Sequence, residues 1–432
     1  MKYDFTNFYK VLINDVGIST DKGKKFIGKL EEFCKFIEID LKYANSSETL
    51  EIISFLATFK QYFCEKNEWE NLIVYSLKNI QCFIYNFEYH PLFIYEGLTH
   101  IAFVINELKK IDSSINRFQN KLNEILLTNI ARYLEIYNRF KDLNTNNFEF
   151  IYGLSGVLRY ILEFDHNAFK EIGCQIVDLL LKHTETQQIN DCVVPPWFYK
   201  PSVYELSKMN TDAPYGILNY GVSHGIGGPL IVLSLAYKKN IYNKETLKKV
   251  VNGLFKEYNK HLYYINDIVY WPNYLTINQY IGSKPIRLVE NQLSWCYGSI
   301  GILRAIYLSA TNMLDYKRKK FAALELEKMA KLSHERYKLC MPIVCHGFAS
   351  VVSIMSEMYN DTHNISFQEA SYIWIRKLVD NINSADFNYK ELDRKKKVYK
   401  YSYLEGYSGI FQTIHAAVFL EQNEHKKRIL MI

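Results

Sequence analysis

Two kinds of hydrophobic pattern alternate along this chain. Over 122–137, 168–181, 246–258, 316–337 and 367–382, apolar residues recur at helical spacing with polar residues between them, which predicts amphipathic helices that bury one face. The second kind is apolar nearly all round and opens on a glycine. It occurs six times: Gly97-Leu98-Thr99-His100, Gly153-Leu154-Ser155-Gly156, Gly225-Ile226-Gly227-Gly228, Gly298-Ser299-Ile300-Gly301, Gly347-Phe348-Ala349-Ser350 and Gly406-Tyr407-Ser408-Gly409. The first and fifth lack the second glycine. Where two glycines stand three apart they share a helix face and admit a neighbouring backbone.

A helix that is apolar on most sides is buried on most sides. Each interval between glycines accommodates an amphipathic helix followed by a glycine-headed one, so the unit reads as outer helix, glycine turn, inner helix. A single helix, 406–420, follows the last glycine. The stretches 25–41, 49–63 and 69–87 add a further pair and the outer helix preceding Gly97, which makes seven pairs. The predicted fold class is therefore all-α: an α/α toroid of seven inner and seven outer helices spanning 1–432 as one domain. An open solenoid would use the same helix pairs, so closure is a further expectation. The two longest intervals contain insertions, 184–218 and 261–288. Val193-Val194-Pro195-Pro196-Trp197-Phe198-Tyr199, Tyr263-Tyr264-Ile265 and Ile268-Val269-Tyr270-Trp271 lie within them and predict short strands, hence a small β-rich extension.

Composition changes this picture little. Of 432 residues, 48% are hydrophobic and 23% charged, as in an ordinary globular chain. A net charge of +6 does not call for nucleic acid, and at most favours an acidic peptide or an anionic membrane surface. The N-terminus lacks the pattern of a signal peptide, and no run approaches the ~18 apolar residues of a membrane-spanning helix. A cytoplasmic protein is expected. Eight cysteines without framework spacing read as free thiols, buried cysteines or metal ligands.

The repeat gives some of those cysteines a phase. In a closed ring, equivalent positions fall on one circle, so residues just before each glycine share a cavity. Those slots hold Ser223-His224, Cys296-Tyr297 and Cys345-His346 in three successive units, and Tyr95-Glu96, Ile151-Tyr152 and Leu404-Glu405 in the others. Cys296, Cys345 and His346 would give a metal two thiolates and one imidazole with one position open, the pattern of a catalytic zinc site. Cys174 and Cys340 have no such phase and read as ordinary cysteines.

At this point the motifs match a family. Ser223-His224-Gly225-Ile226-Gly227-Gly228, Trp295-Cys296-Tyr297-Gly298-Ser299-Ile300-Gly301 and Cys345-His346-Gly347 resemble the signatures of the LanC family, the lanthipeptide cyclases, over nearly the whole chain. The resemblance implies an α/α toroid holding one Zn2+ at Cys296, Cys345 and His346. It also implies addition of cysteine thiols to dehydroalanine or dehydrobutyrine in a dehydrated precursor peptide with its leader, closing (methyl)lanthionine rings. His224 matches the family's acid/base histidine and Tyr297 its cavity tyrosine. Glu149 stands where the family often has aspartate, and Gln292 where it often has arginine. The resemblance further implies a complex with a dehydratase and an ABC transporter at the inner face of the membrane.

Chemically, the attack on the β-carbon leaves enolate character at the α-carbon, which His224 would protonate; Glu149 or Tyr297 would orient the substrate or stabilise the enolate. The competing readings are a relative that adds a free thiol such as glutathione, a zinc-dependent prenyltransferase, and a non-catalytic peptide-binding scaffold. The first shares every ligand. A prenyltransferase would want a basic cluster beside the ligand slots, which is not evident, and an open three-ligand zinc site weighs against a scaffold.

Overall fold

The computed structural model describes residues 1–86, 90–140, 148–201, 213–387, 399–420 and 430. Part of the first predicted insertion, 202–212, lies outside the described residues, as does position 87 of the predicted helix 69–87. No described helix is long and apolar enough to cross a membrane.

The two hydrophobic patterns become two kinds of helix. The amphipathic ones are Thr20–Asp40, Lys66–Asn86, Asn116–Phe140, Asn167–Lys182, Lys244–His261, Tyr316–Ala330 and Ile365–Asn383. In Ile365–Asn383 the buried residues Phe367, Ala370, Ser371, Trp374, Ile375, Leu378, Val379 and Ile382 follow the three-and-four spacing of a single face. The others are Ser46–Phe59, Leu98–Ile111, Leu154–Ile161, Gly227–Lys239, Ser299–Asn312, Phe348–Thr362 and Tyr407–Val418. In Phe348–Thr362 every residue from Phe348 to Met358 is buried. These are the helices with glycine turns before them, apart from Ser46–Phe59.

Their starts differ too. Several amphipathic helices carry a side-chain cap, such as Asn243 accepting from the Thr246 N–H at 2.9 Å and Asp315 from the Arg318 N–H at 3.0 Å. The glycine-headed helices at Leu154, Ser299, Phe348 and Tyr407 have none.

Two expectations need correction. The stretch 316–337 is not one helix: it is Tyr316–Ala330 followed by a separate turn of 3-10 helix, His334–Tyr337. A helix at Thr6–Asn14, with Phe8 and Leu12 buried, was not anticipated because its apolar repeat is short.

The chain divides into two compact units. One comprises Met1–His90, Val104–Arg117 and Leu339–Lys427; its core is aromatic, with Phe33 5.1 Å from Phe55 and 5.3 Å from Phe411, ring to ring. The other comprises Pro91–Phe103, Phe118–Lys338 and Arg428–Ile432, and contains three antiparallel two-stranded sheets. Gln187–Ile189 pairs with Cys192–Val194, and Tyr263–Ile265 with Ile268–Tyr270. The third sheet joins Ile217–Asn219 to Tyr274–Thr276, tying the two inserted segments together immediately before the turn that ends at Gly225.

Candidate metal and acid–base site

Three of the turns before the glycine-headed helices share a backbone plan. The N–H groups of Leu98, Ile226 and Phe348 each donate to the carbonyl seven residues earlier, on Pro91, Asn219 and Met341, at 2.8, 2.9 and 2.9 Å. The preceding loop thus does the work of an N-cap side chain. The second glycine of the repeat follows from the same loop. A Cβ at Gly301 or Gly409 would collide with the carbonyl oxygen of Trp295 or Tyr403, six residues back. So the close approach inferred for the glycine pairs is made mainly by the chain's own turn; at Gly228 the neighbour is another segment, Phe150 and Ser155.

Adjacent turns are also stitched at the slot positions. Phe150 N–H donates to the Ser223 carbonyl at 3.1 Å, Val222 N–H to the Cys296 carbonyl at 3.0 Å, and Cys345 N–H to the Leu404 carbonyl at 2.8 Å. Residues that precede different glycines therefore lie side by side.

His224 and Glu149 are brought together by this stitching. Glu149 Oε2 lies 2.8 Å from His224 Nδ1, and the same carboxylate accepts the backbone N–H groups of Ile151, at 3.0 Å, and Tyr152. The carboxylate is buried, 1% exposed, whereas the His224 side chain is 36% exposed. His224 stands between two tyrosine rings, Tyr152 at 6.1 Å and Tyr297 at 6.4 Å.

Asn219, which carries no motif signal, organises the other side. Its Oδ1 accepts the Gly221 N–H at 2.9 Å and its Nδ2 donates to the Tyr297 hydroxyl at 3.1 Å. Gly221 is obligatory here, because a Cβ would stand 3.0 Å from the Tyr297 ring and 2.7 Å from the Cys296 carbonyl oxygen. Gln292 donates to Ser294 Oγ at 3.3 Å; that hydroxyl donates to the Tyr297 carbonyl at 2.5 Å and sits 4.0 Å from Cys296 Sγ. The position that lacks the family's arginine thus acts on the cysteine turn through a serine.

The sulfurs of Cys296 and Cys345 and a ring nitrogen of His346 lie within 4.8 Å of one another, a group able to hold a metal ion. Bonds of about 2.3 Å to sulfur and 2.0 Å to nitrogen in a tetrahedron would put two sulfurs about 3.8 Å apart, which falls within the 4.8 Å that bounds the donors' separations. Two soft thiolates and an imidazole suit zinc among common biological ions. Cys174 and Cys340 are not in the group: Cys174 donates to the Ile241 carbonyl at 2.8 Å, and Cys340 is exposed.

A family model described as lanthionine synthetase C-like protein matches residues 51–427. The chain belongs to that family. It is 25% identical over 268 residues to the nisin biosynthesis protein NisC of Lactococcus lactis subsp. lactis; the match spans 61% of this chain and 61% of that protein. The solved structure of a nisin cyclase superposes with a TM-score of 0.77 at 20% identity, covering 93% of this chain and 96% of that one. The all-α toroid expected from the glycine repeat is the fold shared with it.

Proposed function

We propose that this chain is a zinc-dependent lanthipeptide cyclase, adding cysteine thiols intramolecularly to dehydroalanine or dehydrobutyrine in a dehydrated precursor peptide. The observation that carries the reading is the convergence of the donor atoms of Cys296, Cys345 and His346 within 4.8 Å, a three-ligand set of the kind that catalytic zinc sites use. Cys296, Cys345 and His346 would hold the zinc, whose chemistry there would be to lower the pKa of the substrate thiol.

The chain's own residues supply the proton chemistry. As the C–S bond forms at Cβ, the C=C π pair moves toward the α-carbon and its carbonyl, and His224 delivers a proton to the α-carbon from Nε2. The thiol's proton is released, so the net change is addition of S and H across the double bond with nothing expelled. Glu149 acts through His224: accepting from Nδ1 fixes the tautomer and leaves Nε2 for transfer. Tyr297, held at its hydroxyl by Asn219, is the group to orient the substrate carbonyl as negative charge develops on it.

In this reading residues 1–432 work as one toroidal body in the cytoplasm, with the strands of 184–218 and 261–288 as its extension. A dehydratase supplies the peptide, and an ABC transporter at the membrane receives the product. Cyclisation leaves mass unchanged and consumes thiols. The test is to incubate dehydrated precursor with the protein, alkylate with N-ethylmaleimide and count adducts by mass spectrometry. Loss of adducts in step with time supports the activity; an unchanged adduct count refutes it.

A further inference from the structure

Beside His224 lies Tyr152, and against Tyr152 lie two more aromatic rings; the acid–base chemistry uses none of the three. Tyr152 is 38% exposed, and its ring runs nearly parallel to the imidazole, 18° between planes at 6.1 Å. Tyr95 and Phe93 meet Tyr152 edge-on at 6.1 and 6.2 Å, and both are partly exposed. Trp295 and Tyr403, in two of the other turns, are by contrast buried. Rings left at the surface of a turn and grouped edge to face make an apolar platform. Its position is fixed, since the Tyr152 N–H is bonded to the carboxylate that holds His224.

We propose that Phe93, Tyr95 and Tyr152 form a subsite that takes an apolar side chain of the substrate peptide, two residues from the dehydroamino acid being attacked. The spacing carries the assignment. In an extended peptide, side chains on one face recur every second residue, about 6.6–6.8 Å apart. The imidazole-to-Tyr152 separation of 6.1 Å matches that repeat, so a peptide with its α-carbon at His224 lays its next same-face side chain on Tyr152. Aliphatic or aromatic side chains gain from this contact, and glycine gains nothing.

This inference rests on the cyclase reading, so its test separates binding from turnover. Fluorescein-labelled dehydrated peptides are prepared that differ only in Leu or Gly two positions before, or two positions after, the dehydroalanine. Affinity is read by anisotropy and ring closure by thiol alkylation. The wild-type protein is expected to favour the Leu peptide of one pair by roughly tenfold in affinity, of the order that a few buried methylenes supply. Tyr152→Ala should bring the ratio to within about twofold, Tyr95→Ala should lower it less, and Tyr152→Phe should retain it. No preference in the wild type, or an undiminished one in Tyr152→Ala, overturns the subsite. Absence of ring closure with the preference intact would overturn the cyclase reading and leave the subsite standing.

Discussion

The turn that ends at Gly347 and the turn that ends at Gly406 differ in the chemistry they carry, while both close backbone around a glycine that leads into a buried helix. A Cβ on either glycine would collide with a backbone oxygen, of Met341 in one and Ser402 in the other. Both lead into helices buried on nearly every side and started without a side-chain cap. Yet the two residues before Gly347 are Cys345 and His346, and the two before Gly406 are the buried Leu404 and Glu405. On the proposed reading the glycine belongs to the fold and the preceding pair to the chemistry. Because the turn is built by backbone hydrogen bonds, the pair can change without disturbing it, and a repeat can supply thiol, imidazole or aromatic ring at successive positions.

The largest test of this division is at the proposed ligands. Cys296→Ala or Cys345→Ala should remove essentially all stoichiometric metal and all ring closure while the circular dichroism of the chain persists; Leu404→Ala, at the equivalent slot, should leave metal content at one per chain. Elemental analysis of the purified variants decides it. Loss of metal in both kinds of variant would mean that the slots are structural after all.

Next is the proposed acid–base pair. His224→Ala should reduce ring closure by roughly 10²–10⁴-fold with metal retained. Glu149→Gln should cost less, roughly 10–10²-fold, because the amide can still accept one backbone N–H but cannot present a charged acceptor to Nδ1. If Glu149→Gln equalled or exceeded His224→Ala, the carboxylate would be acting on the substrate and not through the imidazole.

The sequence made the glycine turns and the proposed ligands legible because both leave a phase: glycine where a Cβ cannot fit, and reactive types where a core would exclude them. Glu149 was legible as a carboxylate, but its role was not. Only the fold shows that its oxygens are spent on Ile151, Tyr152 and His224. Asn219 left no trace, since its amide acts across a turn on Tyr297, far away in sequence. The break at 330 was hidden because Tyr337 continues the apolar spacing of the helix while belonging to the next turn.

A smaller effect tests the fold half of the comparison. Gly301→Ala and Gly409→Ala each force a methyl group against a carbonyl oxygen, of Trp295 and Tyr403. Each should destabilise by about 1–3 kcal/mol, although one glycine follows a ligand cysteine and the other follows no ligand. Similar falls in thermal midpoint would support a purely structural role; a fall at Gly301 alone would tie that glycine to the site.

The smallest effect concerns the first turn, where His100 replaces the second glycine. His100 is 1% exposed, and burial pushes its pKa down from 6.5 to about 4. In the unfolded chain the imidazole takes up a proton near pH 6.5 that the folded chain refuses until about pH 4, so the unfolded state binds more protons across that window and stability falls as pH falls. At pH 6 this one group should cost about 1 kcal/mol relative to pH 8. Replacing it with the non-titrating His100→Gln should flatten that part of the pH–stability curve, read as urea midpoints at pH 8 and pH 6. The comparison should hold against wild type at each pH, because His183, buried and pushed down to about 3, adds a slope of the same sign in both proteins. An identical slope in variant and wild type would mean that His100 is protonated as readily in the folded turn as outside it.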